Sequence, residues 1–373
     1  MAPRDRPPFR ADHVGSLLRP PELKAAREER RAGRLSDEEL RAAEDAAIAD
    51  AVRLQESIGL RTATDGELRR ESWMTDFAYR LAGVRPAGTI AAATGAGRVD
   101  LSPRTGASLM TVDGPIGLEE VIFGEDFRVL RSLVRTATPK LTIPSPSMLH
   151  FRSGRQAIDE AVYPDLDAFW DDVVAAYRAQ LAGLAELGCT YLQLDDVSLA
   201  YLNDPAQRER LASIGGDPQR QHEIYVEQVN RVLAQRPAGM TVTTHLCRGN
   251  LRSAWMAEGS YDFVAEAVFG GLDVDGFFLE YDDERSGGFE PLRFVPKGKV
   301  VVLGLVTTKR GELEAKDDLR RRIEEAARHI DLDQLCLSPQ CGFASVADGN
   351  LITHADQEAK LRLVVETAEE VWG

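Results

Sequence analysis

Apolar and polar positions alternate along this chain in two registers. Short β-rich runs that read as buried strands fall at Arg10–Ser16, Leu60–Glu67, Leu141–Ser147, Thr190–Asp196, Thr241–Cys247, Gly276–Tyr281, Val300–Thr307 and Leu335–Cys341. Between them, apolar residues recur at helical spacing among charged ones over Asp37–Ile58, Asp167–Leu187, Pro218–Gln235, Asp262–Gly270, Ala315–Ala327 and Asp356–Val371. Ser36 or Asp37 before Glu-Glu-Leu, and Asp165 to Asp167 before Ala-Phe-Trp, are placed as helix caps. A β-then-α alternation predicts an α/β fold with a parallel sheet, and eight strands predict closure into a (β/α)8 TIM barrel. The alternative is an open doubly wound sheet, but no G-x-G-x-x-G follows a strand.

One stretch breaks the alternation. Residues Val84–Arg135 are rich in Gly, Ala, Thr and Pro, with a strand-like Ser108–Val112 before an Asp113-Gly114-Pro115 turn. They read as an insertion after strand two, a hairpin with a lid-like loop, or simply a surface excursion. The 373 residues are then one barrel domain with that insertion at about 84–135. No apolar run reaches the roughly 18 residues of a membrane span, and the Pro- and charge-rich Met1–Phe9 does not resemble a signal peptide. The expectation is a cytoplasmic protein. A net charge of −15 argues against nucleic acid as a partner, because counterion release rewards a basic face, and it supplies no general attraction for anions.

In a parallel barrel, chemistry collects where the strands end, because the βα loops converge there. The predicted ends hold His13-Val14-Gly15-Ser16, Asp65-Gly66-Glu67, Asp195-Asp196, His245-Leu246-Cys247, Glu280-Tyr281, Thr307-Thr308-Lys309 and Cys341-Gly342. His245 and Cys247 are two apart, so on a strand both project from one face, and imidazole with thiolate is a ligand pairing that zinc prefers. Glu280 and Cys341 come from the next strand and the last, completing a candidate zinc set. The plain alternative is a buried histidine beside unrelated cysteines. Cys189 and Cys336 sit at the opposite strand ends and read as structural. Asp195 and Asp196 suit an amine or a shared proton, or else cap the following helix. Gly15-Ser16 offers N–H groups and a hydroxyl to a carboxylate. His13 is a further metal or acid–base candidate, while His150, His222, His329 and His354 read as structural or surface residues.

Taken in order, Arg10-Ala-Asp-His-Val-Gly-Ser-Leu-Leu-Arg-Pro20, Asp65-Gly66-Glu67, Leu192-Gln-Leu-Asp195, His245-x-Cys247, Glu280 and Pro339-Gln-Cys341-Gly342 resemble the catalytic C-terminal barrel of cobalamin-independent methionine synthase and its short single-barrel relatives, from about residue 9 to residue 370. The resemblance implies zinc held by His245, Cys247, Glu280 and Cys341, and homocysteine held through Ser16, Glu67 and Asp195. It implies methyl transfer from 5-methyltetrahydrofolate to the homocysteine sulfur. A free thiol has a pKa near 8.5, and zinc deprotonates it outright. The leaving folate nitrogen needs a general acid. The long enzymes are thought to use a histidine after strand seven; here Thr307-Thr308-Lys309 stands there, and Lys309 serves only with a lowered pKa.

The N-terminal barrel of the long enzymes has no counterpart, and Arg19, Arg69 and Arg70 are the cations the sequence puts near the mouth. A shorter folate, a methylated corrinoid protein or another alkyl donor therefore stays open. The runner-up is a zinc-dependent thiol alkyltransferase like the epoxyalkane:coenzyme M transferases, whose sulfonate thiol would favour arginines over carboxylates. A zinc-keeping, non-catalytic barrel and a zinc hydrolase are further alternatives. Thiolate-rich ligation suits thiol activation better than water activation.

Overall fold

The computed structural model describes residues 4–87, 98, 110–152 and 154–373. Its strands in chain order are β1 Thr62–Ala63, β2 Ala82–Pro86, β3 Met110–Gly117, β4 Thr138–Pro139, β5 Leu141–Pro144, β6 Tyr191–Asp195, β7 Thr241–Leu246, β8 Gly276–Glu280, β9 Val300–Val306 and β10 Leu335–Pro339. Strands β5 to β10 form a six-stranded sheet in sequential order, parallel at every join. Each strand is buried along its length except for Thr241, as the unbroken Val-, Leu- and Phe-rich runs require of a sheet covered on both faces. Helices fill the intervals, and the fold is α/β with a parallel sheet.

The first two predicted strands are barely strands. Beyond β10 the sheet continues only as a parallel bridge from Leu337 to Ala11. The Asp12 carboxylate accepts the N–H groups of Phe9 (3.3 Å) and His13 (2.8 Å), so a side chain takes donors that a ladder would use. At the other edge, β1 pairs in parallel with β4, which runs into β5. Beyond Ala63 the Gln55 amide accepts from Thr64 N–H at 2.9 Å and donates to Thr64 C=O at 3.0 Å, replacing the next ladder pair. Between these two segments there is no ladder among the described residues; Leu17 N–H donates to Gly66 C=O at 2.9 Å, Thr64 Oγ1 to Gly15 C=O at 2.6 Å and Thr62 Oγ1 to Asp12 Oδ2 at 3.3 Å. The eight positions keep the predicted order, but the hydrogen-bonded sheet has six full strands.

The helix limits follow local chemistry. Asp37–Ile58 forms as predicted, started by a Ser36–Glu39 capping box and stopped at Gly59, whose φ of 98° suits glycine. Asp165 caps Leu166–Glu186 through Ala168 N–H. The C-terminal helix His354–Trp372 starts two residues earlier than expected because Thr353 and Asp356 cap it. Asp262–Gly270 forms only a short π-helical turn at Glu266–Gly270.

The insertion does contain a hairpin, β2 against β3. Asp113-Gly114-Pro115 lies inside β3 rather than in a turn, opposite a bulge at Gly83. Gly83 has φ +76°, and a Cβ there would lie 2.3 Å from Gly114 O, so only glycine allows the close approach. Helix Gly124–Leu133 follows, within what read as loop. The lid-like loop lies in 88–109, outside the described residues except for Arg98.

Two buried histidines make stability depend on pH. Burial lowers both His13 and His150 from 6.5 to about 4. The unfolded chain therefore binds protons that the fold rejects, so stability is complete above pH 6.5 and is lost as pH falls through 4. Each site contributes on the order of 3 kcal/mol across that window. Urea unfolding between pH 7 and 4.5 should show a shallower decline for His150→Gln than for the unaltered protein; equal slopes would remove His150 from the account.

Candidate active site

His245 lies in β7 and Cys247 just beyond its end, while Cys341 follows β10 by two residues. One ligand atom from each of these three buried residues lies within 4.8 Å of the others. The Cys247 and Cys341 sulfurs are 3.3 Å apart. The contact pushes the Cys247 thiol well above the usual range, with burial adding to the rise, and holds Cys341 well below it. Among the described residues neither ring nitrogen of His245 meets hydrogen-bond geometry with a partner, although, against burial, Cys341 lies close enough to raise its pKa. A buried, unsatisfied imidazole beside two converging sulfurs is a costly arrangement unless a soft cation fills it, and the N, S, S donor set fits zinc.

Glu280, at the end of β8 and fully buried, is not within that three-residue cluster. Its Oε2 accepts Arg248 N–H at 2.6 Å, and its Oε1 accepts Lys309 Nζ at 3.0 Å and Arg285 Nη2 at 3.1 Å. Burial works against the charge, but Lys309, Arg248 and Arg285 outweigh it and hold the carboxyl down at about 2. Lys309 does not face the open cleft. It is clasped by Glu280 and by Asp282 at 3.6 Å, and against burial those carboxylates raise its pKa. The lowered pKa that acid duty would require of Lys309 is not found here, since the ammonium is held by two buried carboxylates. Lys309 is therefore a poor general acid.

The cluster opens into a cleft of about 770 Å³, counting space open to solvent, and Ser16, Glu67 and Asp195 line it together with His245, Cys247 and Cys341. Ser16 is accommodated by Gly342, where a Cβ would lie 1.9 Å from the Ser16 hydroxyl. Glu67 sits at φ +55° after Gly66, and its N–H donates to Asp65 Oδ1 at 2.9 Å. Its Oε1 accepts from Thr142 Oγ1 at 2.8 Å, whereas the buried Oε2 has no hydrogen-bond partner, with Arg70 3.8 Å away. Burial raises Glu67 against the pull of Arg70 and Arg19. Asp195 accepts from Gln193 Nε2 at 2.6 Å, and burial lifts it to about 7. Such carboxylates suit a cation delivered by a ligand. Asp196 takes the capping role instead, accepting from Ser147 (2.7 Å), Ser198 (2.6 Å) and Leu199 N–H (3.0 Å).

His13 does not line the cleft; Lys140 and Asp12 act on it electrostatically, with Thr62 and Gln55 against its ring. Cys189 and Cys336 are buried thiols pushed up to about 12, which makes them inert. None of the three arginines expected at the mouth lines the cleft, although Arg70 stands 3.8 Å from the Glu67 carboxylate that does. Arg19 donates only to backbone carbonyls, Arg69 pairs with Glu44, Asp45 and Asp126, and Arg70 lies over Phe123. Sequence reasoning missed Arg152, Trp73 and Asn250, which do line the cleft. The available signal was their position in the loops after the strand ends.

A profile of the cobalamin-independent synthase catalytic domain matches residues 9–370. The chain belongs to the cobalamin-independent methionine synthase family. Within that family of methionine synthase-like methyltransferases, it is 47% identical to the uncharacterized protein YxjG of Bacillus subtilis over 99% of this chain and 96% of that one. A solved structure from Listeria monocytogenes, assigned as a vitamin-B12 independent methionine synthase, superposes with TM-score 0.78 at 35% identity, covering 99% of this chain and 100% of that one. A B12-independent methionine synthase from Shewanella sp. W3-18-1, solved with selenomethionine, shares the fold at TM-score 0.68 and 19% identity, covering 97% of each chain.

Proposed function

We propose that this protein methylates the sulfur of homocysteine to give methionine, with zinc as its resident metal and 5-methyltetrahydrofolate as the methyl donor. The observation that carries this reading is a single cleft in which the His245–Cys247–Cys341 cluster shares a wall with Ser16, Glu67 and Asp195. Membership of the methionine synthase family supports it.

Zinc held by His245, Cys247 and Cys341, with Glu280 as a fourth ligand that gives up Lys309 for the metal, would supply a Lewis acid that keeps a bound thiol deprotonated. The chain does the rest. Glu67 and Asp195 receive the substrate ammonium, and Gln193 and Thr142 fix the two carboxylates in place by hydrogen bonds. The Ser16 hydroxyl faces the substrate carboxylate. Among the described residues no helix is long and apolar enough to cross a membrane. A reducing, cytoplasmic setting belongs to the same proposal, since two sulfurs 3.3 Å apart must stay unoxidised.

Zinc-loaded protein should convert homocysteine to methionine with 5-methyltetrahydrofolate and leave coenzyme M unconsumed. Alkylation of coenzyme M alone would replace this reading with the thiol alkyltransferase one. Asp195→Asn should raise the KM for homocysteine by about 10- to 100-fold, the size of a lost charge-assisted contact. Its zinc content should stay at wild-type level, because Asp195 is outside the metal cluster. Parallel loss of zinc would refute the separation of roles.

A further inference from the structure

Glu280 and Asp282 stand two residues apart where β8 ends, and two cations bridge them. Lys309 Nζ is 3.0 Å from Glu280 Oε1 and 3.6 Å from Asp282 Oδ2. Arg285 Nη2 is 3.1 Å from the same Glu280 oxygen and 3.8 Å from Asp282 Oδ1. Both carboxylates are buried, with side-chain exposures of 0% and 2%, and Lys309 is only 8% exposed. The cations therefore hydrogen-bond Glu280 and stop short of Asp282, whose Oδ1 has no hydrogen-bond partner among the described residues. Arg285 is anchored in place. Its Nε donates to Asp283 Oδ2 at 2.8 Å, and its guanidinium lies over the Trp255 ring, 4.6 Å from the centroid. Lys309 carries its charge on a flexible four-carbon stem and is the cation free to change partners.

We infer that Asp282 is a positioning residue, the second seat of Lys309, which takes over the ammonium when Glu280 turns to the metal; the inference rests on the metal-site reading above. The balance of buried charge carries it. As the groups now stand, Glu280 and Asp282 cancel Lys309 and Arg285. With Glu280 and two thiolates around a +2 ion, that centre holds one net negative charge. Asp282 with Lys309 and Arg285 then holds one net positive charge beside it, and the whole stays neutral. Without Asp282, the same movement of Glu280 would leave Lys309 with no carboxylate in ion-pair range among the described residues. An uncompensated buried ammonium is costly, so it would hold Glu280 back from the metal. Asp282 lies outside the His245–Cys247–Cys341 cluster and acts only through Lys309.

The test is a competition for zinc between a chromophoric chelator and the metal-free protein, run on the unaltered chain, Asp282→Asn, Lys309→Met and the double variant. Asp282→Asn should weaken zinc by about 10- to 100-fold, the usual cost of losing a partner just outside the ligands. Lys309→Met should hold zinc at least as tightly as the unaltered chain, because Glu280 then leaves no ammonium behind. On that background, adding Asp282→Asn should change zinc affinity by less than about twofold. If Asp282→Asn or Lys309→Met fails to fold, Asp282→Ser or Lys309→Gln takes its place. Unchanged zinc affinity in Asp282→Asn overturns the inference, and so does weakened zinc in Lys309→Met. A loss that persists in the double variant also overturns it, since a purely structural role or a bare charge effect of Asp282 would not need Lys309. An unaltered protein that takes up no zinc refutes the metal-site reading itself.

Discussion

Cys341→Ser is expected to empty the metal site and abolish methyl transfer while the fold stays intact. Cys341 contributes one of the three ligand atoms that converge among the described residues, its sulfur 3.3 Å from that of Cys247. Serine is a harder donor that stays protonated at neutral pH, so it replaces the volume but not the ligand. Removing an outer-shell partner of a metal ligand costs about 10- to 100-fold in affinity, and removing the ligand itself should exceed that. Cys341 lies beyond β10 in a loop, so the melting temperature of the apoprotein should move little. Elemental analysis after gel filtration is the readout, and wild-type metal in this variant would sink the site. Cys336→Ser is the matched control. It places a hydroxyl among Val14, Phe278, Val300 and Val302, and should cost stability without costing metal.

Arg19→Met should cost more stability than any other single change proposed here. The Arg19 guanidinium is buried and donates to four backbone carbonyls: Leu17 at 3.2 Å, Ala344 at 2.7 Å, Glu67 at 2.8 Å and Arg70 at 2.9 Å. It ties together the loop carrying Ser16, the loop carrying Glu67 and the loop after Cys341. Methionine matches its length but leaves those carbonyls without their donor, and each unsatisfied buried group costs about 1–3 kcal/mol. A loss of at least about 4 kcal/mol follows, with Ser16 and Glu67 displaced along with it. Denaturant unfolding measures the first effect, and a loss below about 1 kcal/mol would show that water satisfies the carbonyls instead.

The parts of this molecule legible in its sequence are those governed by local pattern. The strands β5 to β10 and the long helices stand close to their predicted limits, because burial on both sheet faces and capping residues such as Ser36 and Asp165 leave direct marks. What failed was decided by side chains reaching across sequence. Asp12 and Gln55 take over the backbone of the first two strands. Gly83 absorbs the Asp-Gly-Pro segment into a bulged strand. In the site, the two-residue spacing of His245 and Cys247 exposed the cluster, and Cys341 joined it. Lys309 was misjudged because no spacing reveals that Glu280 and Asp282 close on its ammonium. Arginines cannot be sorted by proximity in sequence to a strand end. Arg19 and Arg69 were placed near the mouth and instead bond backbone carbonyls and carboxylates without lining the cleft, whereas Arg152 went unnoticed.

Thiol activation at the metal is the central claim, and X-ray absorption at the zinc edge tests it most directly. Zinc-loaded protein alone should show two sulfur neighbours, from Cys247 and Cys341, and a third should appear when homocysteine is added. A sulfur count that stays at two under saturating homocysteine would contradict the claim, whatever the protein then does with a methyl donor.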